Sequence, residues 1–169
     1  MDCNNFKACV TELENSHSIL KSCPLTQCLL SYDDRPMAVV EENKKKYALV
    51  NRNRDKIARF QIDDGMISSQ NIVKCDNLVI DTDSKFAVFV ELKGTDLKHA
   101  FVQVDETVTR LLSGIPGYRI YARIVTSNRT NVPNIKACPQ YVALSKKIMC
   151  RKGNVVVHSG VITDDAVTM

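Results

Sequence analysis

The segment CDNLVIDTDSKFAVFVELKG covers residues 75–94. Three of its charged residues could take part in catalysis: Asp76, Glu91 and Lys93. Side chains of a β-strand alternate between its two faces, so a strand at 86–93 places Glu91 and Lys93 on the same face. The opposite face carries only the apolar residues Phe86, Val88, Val90 and Leu92. A strand that served only for packing would not need an acid and a lysine at its end.

A hairpin within this segment predicts that Asp76 lies opposite Glu91. The stretch 82–85 is rich in turn-forming residues, and a four-residue loop there pairs Leu78 with Phe89. Partners across two strands point to the same side of the sheet, so the two carboxylates would meet. Like charges placed opposite each other are destabilising, and a divalent cation such as Mg²⁺ would compensate them.

An aspartate, an apolar hairpin and a Glu-x-Lys motif together resemble the PD-(D/E)XK phosphodiesterase superfamily, which includes many restriction endonucleases and resolvases. Asp76 matches the first acid, although Cys75 replaces the usual proline, and residues 91–93 match the second motif. The resemblance covers roughly residues 40–127. It implies a restriction-endonuclease-like sandwich and metal-dependent hydrolysis of phosphodiester bonds in nucleic acid.

The same resemblance implies roles for individual residues. Asp76, Glu91 and the main-chain carbonyl of Leu92 would hold Mg²⁺ or Mn²⁺, which activates water and draws charge from the phosphate. Lys93 would orient or help to deprotonate the water and offset negative charge in the transition state. A free lysine titrates near ~10.4, so the base role requires a lowered pKa, whereas the electrostatic role does not. Gln103 matches a glutamine that many members carry on the next helix.

A third acid is often supplied by the first core helix in this superfamily, and its identity stays open here. The candidates are Glu12, Glu14, Glu41 and Glu42. Glu42 is the one carried into the predicted site.

A helix is predicted at about 96–112, with an apolar stripe at helical spacing. The stripe consists of Leu97, Ala100, Phe101, Val104, Val108 and Leu111. Beside it runs a polar stripe of His99, Gln103, Thr107 and Arg110. We expect Gln103 at the rim of the site, contacting phosphate or orienting the Glu-x-Lys end. Thr107 and Arg110 are expected on a solvated helix face. For His99, a role at the rim of the site and a place on the solvated face both stay open.

Basic residues are concentrated in 44–59, where seven lysines and arginines accompany one acid, although the net charge of the chain is only +4. Such a patch suits a polyanion such as nucleic acid, and a solvated hairpin surface is the equal alternative. The predicted phosphate contacts are Lys44, Lys45, Lys46, Arg52 and Arg54.

The length of 169 residues fits one domain at 1–169, with a core at about 37–160 and an N-terminal helical segment at 1–35. Periodicity predicts a helix at 4–22, followed by four strands, a helix, a strand, a second helix and a last strand. The first two strands, at 46–53 and 56–62, are joined by a short polar turn. This order predicts an α/β or α+β sandwich with a mixed sheet.

The seven cysteines are scattered, and no signal peptide or transmembrane segment is predicted. Reduced thiols in a cytoplasmic protein are the simplest interpretation, with zinc at Cys23 and Cys28 a minor alternative. The expected partner is nucleic acid, DNA in preference to RNA, and no membrane. A homodimer or a larger complex with a partner protein stays open.

By analogy with compact bacterial members of the superfamily, a nuclease of this size would act in defence against foreign DNA. Two other interpretations stay open. One is a nuclease-fold module that binds nucleic acid but has lost catalysis, and the other is an interaction subunit of a larger complex.

Overall fold

The computed structural model describes residues 3, 5–16, 28–93, 96–127 and 135–169 of the chain. The helices in these ranges are α1 (Phe6–Ser16), α2 (Leu97–Leu111) and α3 (Pro139–Met149). The strands are β1 (Leu29–Asp33), β2 (Met37–Glu42), β3 (Lys45–Val50), β4 (Ile57–Gln61), β5 (Asn77–Asp81), β6 (Phe86–Lys93), β7 (Arg119–Thr126), β8 (Val155–Ser159) and β9 (Val161–Asp165). None of the described helices is long and apolar enough to cross a bilayer.

The main sheet of the described chain has six strands in the order β1-β4-β5-β6-β7-β8. The pairs β1–β4, β4–β5 and β5–β6 are antiparallel, whereas the pairs β6–β7 and β7–β8 are parallel. Parallel neighbours need a crossover connection. Helix α2 lies in the connection from β6 to β7, and α3 lies in the connection from β7 to β8. The carboxyl ends of β6, β7 and β8 therefore share one edge.

A smaller sheet, β2-β3-β9, covers the other face of the main sheet. Leu78, Ala87 and Phe89 belong to the core cluster under the helices, whereas Val88 and Val90 belong to the cluster between the sheets. Strand β6 is thus buried on both faces, and the predicted alternation of its side chains is confirmed. The fold is a mixed α/β arrangement of layered sheets and helices, as predicted.

Helix α2 has the predicted position and the predicted buried face. It begins after Asp96, whose carboxylate accepts the backbone N–H of His99 at 3.0 Å and so caps the first turn. All six residues of the predicted apolar stripe are buried. Phe101 meets the ring of Tyr141 on α3 edge to face, with ring centroids 5.5 Å apart.

The pairing of the two basic strands differs from the prediction. Strands form near 46–53 and 56–62, but β3 joins the small sheet and β4 joins the main sheet. Asn51 is fully buried and holds the connection, donating to the carbonyls of Arg35 and Asp55. Periodicity identifies a strand but not its partners, because partners are set by contacts distant in sequence.

The first 35 residues are not helical throughout. Helix α1 ends at Ser16, and residues 17–22 of the predicted helix lie outside the described residues. Strand β1 then pairs with β4 at the edge of the main sheet. Strands β1, β2 and β9 were not predicted from the sequence.

The last residue of β5 is a buried acid. Asp81 is fully buried, and its Oδ1 accepts the N–H groups of Asp83 and Ser84 at 3.0 and 2.7 Å. Burial raises the pKa of Asp81 to about 7, and the charge of Asp55 adds to the effect. The folded state therefore binds this proton more tightly than the unfolded chain, in which an aspartate titrates near ~3.9.

We expect the stability provided by Asp81 protonation to be lost progressively as the pH rises from about 4, where the unfolded chain ionises, to about 7. Asp81→Asn keeps an acceptor for the turn and removes the charge. It should raise the free energy of unfolding at pH 8 by about 2–4 kcal/mol and have much less effect at about pH 4. Urea unfolding at both pH values measures this. Asp64→Asn, at an exposed position, is the control, and an Asp81→Asn profile parallel to wild type would contradict the expectation.

Candidate active site

The predicted hairpin register is present in strands β5 and β6. Leu78 pairs with Phe89, as expected, and the last described pair joins Asn77 to Val90. Continued by one residue, this register sets Asp76 opposite Glu91.

The Asp76 side chain is hydrogen-bonded to the middle residue of the Glu-x-Lys motif. Its Oδ2 accepts the backbone N–H of Leu92 at 2.6 Å. Its carbonyl accepts the N–H of Ile62 at 2.9 Å, just beyond the end of β4. The carboxylate is therefore held against the main chain between Glu91 and Lys93, so the two parts of the predicted motif come together.

Glu91 is fully buried near the end of β6. Burying a carboxylate is costly unless neighbouring groups or a cation compensate its charge. Burial and the nearby charge of Glu91 raise the pKa of the Cys75 thiol well above its ordinary value. Cys75 therefore stays protonated, which fits an idle thiol and not a nucleophile.

Lys93 is the last residue of β6, and its backbone pairs with Thr126 on β7. Its side chain lies outside the described part of the structure. The main chain of the motif thus reaches the edge formed by the carboxyl ends of the parallel strands, where ligands of α/β sheets commonly bind.

An acidic cleft of about 440 Å³ adjoins Asp76. Its lining consists of Glu41, Glu42, Gln61, Asp63, Asp64, Asp76, Asn77 and Leu92. The main sheet and the loops beside it supply one wall, and Glu41 and Glu42 on β2 supply the other. Glu42, the predicted third acid, therefore shares a cleft with Asp76, although it lies on a strand and not on a helix.

Glu14 is too far from the cleft to act as the third acid. It accepts the hydroxyl of Tyr118 at 2.5 Å and lies 3.6 Å from the ammonium of Lys85. Both partners lie just before the parallel strands, and Glu91 is six residues beyond Lys85 along β6, or about 20 Å. Glu12 is on the same helix, α1, and does not line the cleft.

The groups at the cleft suit a hard cation. Carboxylate and carbonyl oxygens are the protein ligands of Mg²⁺, which commonly uses only one or two carboxylates together with waters and phosphate oxygens. Asp76 and the backbone of Leu92 provide such groups. Within the described ranges, no three His, Cys, Asp or Glu side chains lie close enough to hold a metal by themselves.

Gln103 and Thr107 contact the chain just before Asp76. Gln103 is 7% exposed, and its Nε2 donates to the carbonyl of Lys74 at 2.8 Å. Thr107 is fully buried and accepts the N–H of Cys75 at 2.9 Å. The prediction of a solvated Thr107 is wrong, because the segment at 74–75 covers this side of α2.

The rest of the polar stripe is exposed. Arg110 is in solvent, as predicted, and His99 is exposed beside a polar pocket of about 290 Å³ that Lys74 and Gln103 also line. Gln103 therefore lies between this pocket and the segment that leads to Asp76. Its side-chain amide binds that segment through the Lys74 carbonyl.

The predicted basic patch is divided between the two ends of β3. Lys44 is exposed in the turn after Glu42, and Lys46 pairs with Glu41 beside the cleft. Lys45 is only 6% exposed, so its prediction as a surface contact is wrong. It lies on the same face of β3 as Tyr47 and Leu49, and this face packs against the main sheet.

Arg52 and Arg54 lie beyond the other end of β3, away from the cleft by roughly the length of the strand, ~20 Å. Arg52 pairs with the carboxylate of Asp165 at 2.8 Å, and Arg54 donates to the carbonyl of Asp34 at 3.0 Å. Their positions do not support a shared phosphate surface with Lys44.

Sequence reasoning missed Asp63, which follows β4 and lines both the cleft and the polar pocket. Asp63 pairs with the buried ammonium of Lys74 at 3.0 Å. The only available signal was the acidic pair at 63–64, and its proximity to Asp76 depends on the pairing of β4 with β5.

No protein-family model matches the sequence. Searches of curated proteins and of solved structures likewise found no match.

Proposed function

We propose that this chain is a metal-dependent nuclease of the PD-(D/E)XK type, which hydrolyses phosphodiester bonds in nucleic acid. The observation that carries the proposal is the 2.6 Å hydrogen bond from the Leu92 amide to the Asp76 carboxylate. It joins the first acid to the Glu-x-Lys motif, two features that are sixteen residues apart in the chain.

The order of the elements around the motif supports the proposal. Strands β4, β5 and β6 form an antiparallel group, and α2 leads to β7, parallel to β6. A helix, an antiparallel strand group, a helix and a further strand make up the core that the resemblance implies. Asp76 precedes the second strand of the group, and Glu91 lies near the end of the third.

In the proposed reaction Asp76, Glu91 and the Leu92 carbonyl would hold Mg²⁺ or Mn²⁺, with Glu42 as a candidate further acid. The metal would supply an activated water and withdraw charge from the phosphate. Lys93 would orient the water and offset the negative charge that develops on the phosphate oxygens.

The alternative is a nuclease-fold subunit that binds nucleic acid or a partner protein without cleaving it. The lack of a three-residue metal cluster among the described residues favours this alternative. The two functions differ in one measurable respect, since only the first requires a metal for product formation.

A cleavage panel separates these functions. Single- and double-stranded DNA and RNA are incubated with the full chain in Mg²⁺, in Mn²⁺ and in EDTA. We expect metal-dependent products, with DNA preferred to RNA, as a cytoplasmic role in defence against foreign DNA would require. Salt-sensitive binding without products in any metal would support the inactive subunit instead. Sedimentation of the same samples tests for a homodimer.

The divided basic patch leads to a prediction about binding. Removing Lys44 and Lys46 together should weaken nucleic-acid binding for all sequences, because these residues lie beside the cleft. Each lost phosphate contact reduces the slope of log affinity against log salt by about 0.9 for duplex DNA and about 0.7 for single strands. Titrations at several salt concentrations measure the slope. The matched Arg52→Ala/Arg54→Ala variant should leave it nearly unchanged, and equal effects of the two variants would contradict the assignment.

A further inference from the structure

The chain makes two hydrogen bonds to α2 immediately before Asp76. The carbonyl of Lys74 accepts from the Gln103 side chain at 2.8 Å, and the N–H of Cys75 donates to the Thr107 hydroxyl at 2.9 Å. Strand β5 begins only at Asn77. Helix α2 therefore binds the segment at 74–75 where the sheet does not.

The Thr107 hydroxyl has a fixed orientation. It donates its proton to the carbonyl of Gln103 at 2.7 Å, one turn earlier in the helix. A hydroxyl has one proton to donate, so its oxygen lone pairs accept from Cys75. Thr107 is fully buried, so water does not replace either bond.

These bonds act on Asp76 through one peptide unit. The N–H of Cys75 is fixed by α2, the carbonyl of Asp76 by Ile62, and the Asp76 carboxylate by the Leu92 amide. Three separate parts of the chain thus determine where this carboxylate lies. On α2 the side chains of Gln103 and Thr107 both bind the peptide unit that joins Lys74 to Cys75, and valine can replace Thr107 at nearly equal size.

We propose that Thr107 is a positioning residue, which acts through Cys75 to hold the Asp76 carboxylate beside Leu92 at the metal site. The proposal rests on the nuclease function proposed above. Groups that orient metal ligands affect affinity strongly, since their mutation typically costs about 10–100-fold in metal binding or activity. Thr107 does not touch substrate or metal itself, so its effect should pass through Asp76.

The test compares Thr107→Val, which keeps the shape and removes the hydroxyl, with Thr107→Ser, which keeps the hydroxyl. Thr109→Val is the matched control, because Thr109 donates to the Asp105 carbonyl at 2.8 Å on an exposed part of the same helix. Amide hydrogen exchange is measured on the full chain without metal. Exchange at Leu92 is expressed relative to Val88, so that a loss of global stability cancels.

We expect Thr107→Val to raise relative exchange at Leu92 about tenfold, weaken Mn²⁺ binding about tenfold and lower kcat with KM nearly unchanged. Thr107→Ser should restore all three, and Thr109→Val should change none. If Thr107→Val does not fold, Thr107→Ala carries the same expectation, with Thr107→Ser as its reference.

The outcomes separate this inference from the nuclease proposal. If wild type binds Mn²⁺ and cleaves, but Thr107→Val matches Thr109→Val, the positioning role is overturned and the nuclease stands. If wild type neither binds Mn²⁺ nor cleaves, the nuclease proposal fails, and the metal-site role of Thr107 fails with it. Loss of Leu92 protection alone would then show only a structural bond.

Discussion

Replacing Lys93 with alanine is expected to reduce cleavage by two or more orders of magnitude while the fold and metal binding persist. Loss of an acid–base group or of a charge that stabilises the transition state typically has an effect of about this size. The backbone of Lys93 still pairs with Thr126 in the variant, so β6 keeps its length. Initial cleavage rates and Mn²⁺ titrations on the same preparation measure both quantities.

Asp76→Asn is the contrasting variant, in which metal binding and cleavage should be lost together. The sequence pattern alone predicted that removing Asp76 would relieve a like-charge pair and stabilise the metal-free protein. The structure adds an opposing effect, because Asp76→Ala would also remove the acceptor of the Leu92 amide. Asparagine keeps an acceptor there, so thermal shift with and without Mn²⁺ isolates the charge. Wild-type cleavage by Lys93→Ala would refute the assigned roles.

Phe101→Ala should lower the free energy of unfolding by about 3–5 kcal/mol, because it removes a large side chain that is only 1% exposed. The lost contacts include the edge-to-face packing on Tyr141, which joins α2 to α3. Urea unfolding measures the change. Val142→Ala is the control, since Val142 on α3 is 50% exposed and its replacement should change stability by no more than ~0.5 kcal/mol. Equal effects of the two replacements would place Phe101 outside the core.

The β5–β6 hairpin and helix α2 could be predicted because their signals are local. A short apolar run, a polar turn and a helix with period 3.6 each lie within a short window of sequence. The register followed from the loop length alone, and the pairing of Leu78 with Phe89 confirms it. The position of Asp76 relative to the Glu-x-Lys motif depended on that same local register.

The division of the strands between two sheets could not be predicted in this way. Strands β3 and β4 are neighbours in the chain, yet their partners include β9 and β1, which come from distant segments. The same limitation explains Thr107. A helical wheel places it beside the apolar stripe, but only the path of the segment at 74–75 decides whether solvent or backbone covers it.

The two walls of the acidic cleft belong to different sheets, with Asp76 and Leu92 on one side and Glu41 and Glu42 on the other. The width of the cleft is therefore set by the packing between the sheets, where Val40 and Tyr47 lie against the main sheet. Substitutions in that layer could widen or narrow the opening without changing the residues around Asp76. Such a division would allow the range of accepted substrates to diverge while the reaction itself is conserved.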